Sequence, residues 1–258
     1  MNSSHHIDSL PISLVYIIIV AIILLSFECG YFISKHTSKS TDKNAPGAIV
    51  PMVSGLLAML GFVLAFTFSM AAGENKARKQ NIIEDAAVIG TAYLRADLVA
   101  EPSRKRIKQY LKEYVDIRID AVNHSDHLAK AIARSQEIHD LLWSEVTSLE
   151  RDNANRNYLL LIQSVNQLIV MHEKRLATAL HNRIPDSIWT ALFIISSLTM
   201  IAIGVQAGIS RSRRLVVSIP LILAFAALTT IIIDLDRIEH SLIHINQQSM
   251  SDLQERMR

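Results

Sequence analysis

Four uninterrupted apolar runs divide the chain into stretches of very different character: residues 11–33, 48–72, 188–209 and 215–233. The only charged side chain within them is Glu28. A hydrocarbon core about 30 Å thick needs roughly 20 helical residues, and each run is long enough to cross it. Because backbone amides find no water in lipid, such runs form helices. The pattern therefore predicts four membrane-spanning helices in two hairpins.

The stretch between the hairpins, residues 73–184, is polar but keeps a helical period. Apolar residues recur there mostly at steps of three and four, which is typical of amphipathic helices. One such stripe is Leu128, Ile132, Ile138, Leu142, Val146 and Leu149, and a second is Tyr158, Leu161, Ile162, Val165, Leu168, Ile169, His172, Leu176 and Leu180. Helix breaks are predicted at 101–103, 123–126 and 152–155, with helix starts at Ser103 and Asp126.

The predicted fold class is therefore all-α, an integral membrane protein with a central aqueous helical bundle. The spanning helices are expected to continue into this bundle at Ala72 and at Arg183. Four regions follow: an N-terminal segment with the first hairpin (1–72), an extramembrane helical domain (73–184), the second hairpin (185–233), and a C-terminal tail packing near the membrane edge (234–258).

Composition excludes several classes of protein. Half of the residues are hydrophobic and 19% are charged, against about 25% charged residues in soluble domains, and the mean hydropathy is +0.26. These values exclude a disordered chain and an ordinary soluble domain, and the single cysteine, Cys29, excludes a disulfide scaffold. The net charge of +2, without a basic stripe of interleaved aromatic residues, gives no sign of nucleic acid as a partner.

Basic residues near the ends of the spans predict the orientation of the chain. The two short loops, 34–47 and 210–214, hold six Lys and Arg residues in nineteen positions. Such an excess marks the cytoplasmic side of a membrane. The short loops are therefore expected in the cytoplasm and the central domain outside it.

Small residues recur at helical spacing in two spans. The second span carries Gly55, Ala58, Gly61, Ala65 and Ser69, and the third carries a GxxxG at 204–208. Small residues let helices approach closely in lipid. Both sets can serve as packing faces; alternatively, the set in the second span lines an oligomeric pore.

Polar residues at or beside the spans are the other candidates for a mechanism. Glu28 is an ionisable group inside a span, which is costly and marks a functional position by default, although its place near the end of the run also suits the interface. Beyond the second span, Glu84, Thr91 and Arg95 share a helix face, either solvated or in contact with a neighbouring helix or subunit. Asp234, Asp236 and Arg237 follow the fourth span and could pair with the Arg95 face or guard a pore mouth.

The sequence contains none of the motifs that indicate catalysis or a cofactor. There is no G-x-S-x-G, P-loop or HExxH, so no enzyme activity and no cofactor are predicted. His124 and His127, like His240 and His244, are spaced as metal ligands can be, but neither pair has an evident carboxylate or thiolate to complete a site. No metal site is predicted.

The segments GLLAMLGFVLAFTFSMA (55–71), EDAAVIGTAYLRADL (84–98), YLKEYVDIRI (110–119) and DLDRIEHSLIHINQQSMSDL (234–253) resemble the bacterial bestrophin-like domain family. Glu84, Gly90, Thr91, Tyr93, Leu94, Arg95, Asp234, Asp236 and Arg237 stand at that family's motif positions. The family is remotely similar to bestrophins, which are pentameric anion channels with four spans per subunit and cytoplasmic soluble helices. That side of the membrane is the opposite of the one that the basic residues of this chain predict for the central domain.

The resemblance implies a multi-pass protein of the bacterial inner membrane, whose partners are membrane lipid, small ions and further copies of the chain, five by analogy. Together with the small residues of the second span, it favours a homo-oligomeric ion channel, for anions. The alternative hypothesis is a non-conducting helical interaction or sensor module that the spans anchor in the membrane.

Overall fold

The protein is helical throughout the part of the chain that its computed structural model describes, which is residues 10–37, 45–124, 127–152, 157–180, 184–209, 215–237 and 247–258. No strand occurs among these residues. The helices are α1 (Ile12–Thr37), α2 (Ala45–Arg95), α3 (Ser103–Asn123), α4 (Leu128–Asp152), α5 (Asn157–Leu180), α6 (Asp186–Ile209), α7 (Leu215–Asp236) and α8 (Gln248–Met257), with a short 3-10 helix at Ala96–Leu98. The predicted all-α class is confirmed.

Four of these helices, α1, α2, α6 and α7, are long and apolar enough to cross a membrane. Their outward side chains suit lipid, since large apolar residues such as Ile17 and Leu25 are 60% and 70% exposed. Exposed surface of this kind is incompatible with water over such lengths but matches a hydrocarbon solvent. The four predicted spans are confirmed, and the chain is an integral membrane protein.

The chain divides into two compact units, and the boundary falls inside α2. The first unit comprises Met1–Asn75 and Arg183–His244. Its apolar core combines one stripe from each spanning helix at three- and four-residue steps. The buried members include Val15, Ile19, Ile23, Phe27, Leu60, Leu64, Leu192, Met200, Ile222 and Ala226.

Helices α1 and α6 approach most closely at glycines. A Cβ built on Gly204 would overlap the carbonyl oxygen of Phe27, and one built on Gly30 would overlap the carbonyl oxygen of Ile201. A Cβ on Gly208 would lie 2.7 Å from a side-chain atom of α1. The GxxxG of the third span is therefore a packing face within the single chain, as small residues in lipid allow.

The second unit comprises Lys76–Asn182 and Ile245–Arg258. Its core joins the latter part of α2 to α3, α4, α5 and the short α8. The buried members include Ile89, Ala92, Ile107, Leu111, Ile138, Leu142, Leu161, Leu168, Met250 and Leu253. Tyr93 further ties α8 down, because its hydroxyl donates to the carbonyl of Met257 at 3.3 Å.

The helix breaks in the central region lie where the sequence predicts them. Helix α3 begins at Ser103 and ends at Asn123, and α4 ends at Asp152. The predicted start at Asp126 lies outside the described residues. At Ala72 the helix runs on without interruption, as predicted.

The predicted continuity at Arg183 is wrong. Helix α5 ends at Leu180, a new helix begins at Asp186, and Ile184 and Pro185 are not helical; Arg183 itself lies outside the described residues. Proline lacks an amide hydrogen and disfavours helical geometry at the residue before it. Pro185 instead opens α6, since its carbonyl accepts the N–H of Ile188 at 2.9 Å.

Candidate functional site

One side of α2, in its membrane-spanning part, carries the small residues that the sequence singles out. Gly55, Ala58, Gly61, Ala65 and Ser69 are all exposed in the single chain. A Cβ added to Gly55 or Gly61 meets nothing within 4 Å among the described residues. At about 100° per residue these five positions fall on one side of the helix, which we call the small-residue face.

The opposite side of the same helix is covered. Val53, Leu60, Leu64, Thr67 and Ala71 are each at most 5% exposed and belong to the interior of the first unit. The rest of the chain therefore covers this side of α2, whereas the small-residue face stays exposed. The small residues of α6 are packed, whereas those of α2 are not.

Two aromatic rings accompany the small-residue face. Phe62 is 73% exposed and Phe66 is 55% exposed, and both follow small residues by one position. Along this side of the helix, large aromatic side chains alternate with small residues. The exposed side of α2 therefore combines small residues with two large aromatic rings.

Glu84 and Arg95, beyond the second span, both contact the neighbouring helix α5. Lys174 Nζ donates to Glu84 Oε2 at 2.8 Å, and Arg95 Nη1 donates to Ser164 Oγ at 2.8 Å. The contact with a neighbouring helix that the sequence analysis considered is therefore present for Glu84 and Arg95. Thr91 is exposed and donates to a carbonyl one turn back in its own helix.

A buried ionic network lies one position further along α2. Asp85 is fully buried. Its Oδ2 accepts from Arg175 Nη1 at 2.5 Å and lies 3.7 Å from Arg118 Nη2. The network thus joins α2, α3 and α5 through one carboxylate. Buried charges are tolerated when they are paired. Removing one partner leaves an unpaired charge in a medium of low dielectric constant, which destabilises the fold.

Arg118 extends the network to a tyrosine and two histidines. Its Nη2 donates to Tyr114 Oη at 2.8 Å and lies 3.0 Å from His172 Nδ1. Since a guanidinium only donates, His172 accepts through Nδ1 and carries its proton on Nε2. The ring of His139 lies edge-on to that of His172, with centroids 4.7 Å apart.

The surroundings keep both histidines neutral. Burial lowers the pKa of His172 to about 3 and the pKa of His139 to about 4, and the charge of Arg118 adds to both effects. Burial likewise raises the pKa of Tyr114 to about 12. Both imidazoles of the network are therefore neutral at neutral pH.

The sequence analysis missed this network. It placed His172 within an apolar stripe, and a histidine at a core-facing position was the available signal, because a buried polar side chain requires partners. The spacing of Tyr114 and Arg118, one helical turn apart, was a second signal. Neither indicates that Asp85 is the shared partner, because that contact bridges α2 and α5.

The residues after the fourth span tie the first unit together. Asp236 Oδ1 accepts the backbone N–H of Ile184 at 3.0 Å. Arg237 Nη1 donates to the carbonyl of Leu10 at 2.8 Å, and its side chain is almost completely buried. Asp234 is buried as well. Asp236 and Arg237 thus link the end of α7 to the beginnings of α6 and α1.

Glu28 is half-buried in α1, next to the exposed Cys29. The structure therefore places it neither fully in the core nor fully on the surface. Its partial exposure favours neither of the two interpretations that the sequence permits.

Comparison with known proteins agrees with this architecture. A family model for the bestrophin-like domain matches residues 20–237. Two mutant forms of a bacterial bestrophin homologue from Klebsiella pneumoniae have the same fold at 12% identity: one gives a TM-score of 0.59 and covers 95% of this chain and 97% of its own, and the other gives 0.57, 95% and 96%. No curated protein matches the chain. The match over most of its length, together with the motif segments, shows that the chain belongs to the bestrophin-like domain family.

Proposed function

We propose that the protein is a homo-oligomeric membrane channel for small anions, in which the small-residue face of α2 lines the pore. The observation that carries this proposal is the contrast between two sets of small residues. Those of α6 pack against α1 without room for a Cβ, whereas Gly55 and Gly61 of α2 meet nothing. Packing within the single chain leaves the small-residue face uncovered. In a ring of chains with α2 innermost, this face lines the central axis.

Apolar residues exposed on the polar second unit support assembly. Leu94 is 70% exposed, Val170 is 58% exposed and Leu159 is 52% exposed. Leu159 and Val170 lie on the same side of α5, because eleven residues make about three turns, and exposed apolar patches on a water-facing surface mark protein contacts. Copies of the same chain are the natural partners, and the resemblance to bestrophins suggests five of them.

Charge near the spanning part of α2 favours anions over cations. Lys76 and Lys79 are exposed and follow the last small residues of the span. Repeated around a ring, such positions place several positive charges near the path of a permeating ion. Rings of Lys or Arg select for anions in pores.

The orientation proposed with this channel places the short loops in the cytoplasm, because they hold six basic residues in nineteen positions. A cysteine at the exposed Ser148 (Ser148→Cys, with Cys29→Ser) is then expected to react with an impermeant maleimide in cells whose outer membrane alone is opened. Lys39→Cys, in a short loop, is the matched reporter and should react only after the inner membrane is permeabilised. The reverse pattern would overturn the orientation and leave the channel proposal untouched.

Planar-bilayer recording tests conduction. Purified protein, shown by native mass spectrometry to be a ring of identical chains, is expected to carry current in symmetric KCl. Under a KCl gradient the reversal potential is expected to lie near the chloride equilibrium potential, and Lys76→Glu should move it toward that of potassium. Lys130→Glu, an exposed lysine on α4, is the control and should leave it unchanged.

The same recording discriminates the alternative function. A membrane-anchored interaction module forms no aqueous axis, so folded oligomer of verified stoichiometry would stay silent at all voltages. Silence would therefore overturn the channel proposal and favour the module. A current carried by potassium would retain the channel but refute the assignment to anions.

A further inference from the structure

Three side chains with metal-binding atoms converge where α3 ends. Asp120 Oδ1 lies 3.0 Å from His124 Nδ1, and Asp120 Oδ2 lies 2.9 Å from His127 Nδ1. One ligand atom from each of the three residues lies within 4.8 Å of the others. The carboxylate therefore faces both imidazoles at once.

The backbone holds these three residues in place. Asp120 and His124 are one helical turn apart, and the N–H of His124 donates to the carbonyl of Asp120 at 2.9 Å. The N–H of His127 in turn donates to the carbonyl of His124 at 3.0 Å. These two hydrogen bonds link the backbone of Asp120, His124 and His127 to one another.

We propose that Asp120, His124 and His127 bind one divalent transition-metal ion of the Zn²⁺ class. Ligand atoms at zinc bond lengths of about 2.0–2.2 Å lie roughly 3.3 Å apart in a tetrahedral set. Here the two imidazoles hydrogen-bond to different oxygens of Asp120, and the three ligand atoms lie within 4.8 Å of one another, so a small shift brings them to that spacing. Imidazole nitrogen with carboxylate oxygen suits zinc, copper and nickel, whereas magnesium and calcium prefer oxygen alone. Two histidines and one carboxylate leave a position for water, as in open zinc sites.

As a set of ion pairs, the cluster contributes little to the stability of the fold. The side chains of Asp120, His124 and His127 are 50%, 57% and 46% exposed, and ion pairs at such positions contribute about 1 kcal/mol or less. The sequence analysis found no carboxylate to complete the His124 and His127 pair. Asp120, four residues before His124, supplies it.

Equilibrium dialysis against Zn²⁺, followed by elemental analysis, tests the site. The full-length protein is purified through a tag without histidine and stripped with a chelator. We expect the affinity for one Zn²⁺ per chain to fall at least tenfold in Asp120→Asn and in His124→Ala. His36→Ala removes an exposed histidine of α1 instead and should change nothing. A millimolar excess of Mg²⁺ should not displace the bound zinc.

The variants also separate binding from folding. All three ligands are at the surface, so each variant should keep the size-exclusion profile and helicity of the parent protein. Zn²⁺ should raise the unfolding temperature of the parent protein, as a ligand of the folded state does, but not that of His124→Ala. Equal zinc content and affinity in the parent protein and both ligand variants would overturn the site, and displacement by Mg²⁺ would overturn its class. Neither result depends on whether the protein conducts.

Discussion

Gly204→Ala is expected to destabilise the packing of α1 on α6 severely. The added Cβ would overlap the carbonyl oxygen of Phe27 and lie 2.9 Å from the backbone nitrogen of Tyr31. Both are backbone atoms of α1, so only a displacement of the whole helix relieves the overlap. Overpacking that forces side chains off their rotamers or shifts the backbone costs about 1–3 kcal/mol and occasionally more. Because a whole helix must move here, we expect a cost at or above the upper end of that range. Detergent size-exclusion profiles and unfolding in a denaturing surfactant measure the loss.

Gly61→Ala is the matched control. It adds the same methyl group to a spanning helix where nothing lies within 4 Å of the new Cβ. We expect the unfolding midpoint to stay within error of the parent protein, or to rise slightly because alanine favours helix over glycine. Equal tolerance of both substitutions would contradict the close packing of α1 on α6.

Acid is expected to destabilise the second unit through its buried histidines. In the folded chain the pKa values of His139 and His172 are about 4 and about 3, whereas the unfolded chain takes up these protons near 6.5. Between those limits the unfolded state binds more protons, so stability is complete above pH 6.5 and falls as the pH decreases toward 4. For His139 alone, a pKa lowered from 6.5 to about 4 corresponds to about 3 kcal/mol.

Thermal unfolding of the full chain followed by circular dichroism at pH 7.5, 5.5 and 4.5 measures this loss. Carboxylates also titrate at the acid end, so the informative quantity is the difference between variants. His139→Gln should lose less stability between pH 7.5 and 5.5 than the parent protein, because glutamine takes up no proton. His36→Gln, at an exposed position, should behave like the parent. Equal pH dependence in all three proteins would contradict the burial of a neutral His139.

The spanning helices were predictable from the sequence, because a run of some 20 apolar residues indicates a membrane-spanning helix and few other structures. The Asp85 network was not, since Asp85 and Arg175 are 90 residues apart and meet only once α2 and α5 are packed. Hydrophobic periodicity indicates which side of a helix is buried, but not which polar side chain on another helix lies opposite.

The sequence also could not show which of the small residues are packed and which are exposed. In the sequence, Gly204 and Gly61 look equivalent, because each has another small residue four positions away. Only the packing of α1 on α6 distinguishes the filled face from the open one. The Asp120 cluster was closer to prediction, because Asp120 and His124 are one helical turn apart and such pairs can be read directly from a helix.

The most direct test of the channel is the water accessibility of the small-residue face during conduction. Ala65→Cys, in a Cys29→Ser background, places one thiol on that face, and Phe32→Cys places one on an exposed position of α1 as the control. We expect a water-soluble thiol reagent to reduce the bilayer current of Ala65→Cys by more than half and to leave that of Phe32→Cys unchanged. Current through Ala65→Cys that the reagent does not alter would contradict a pore lined by this side of α2.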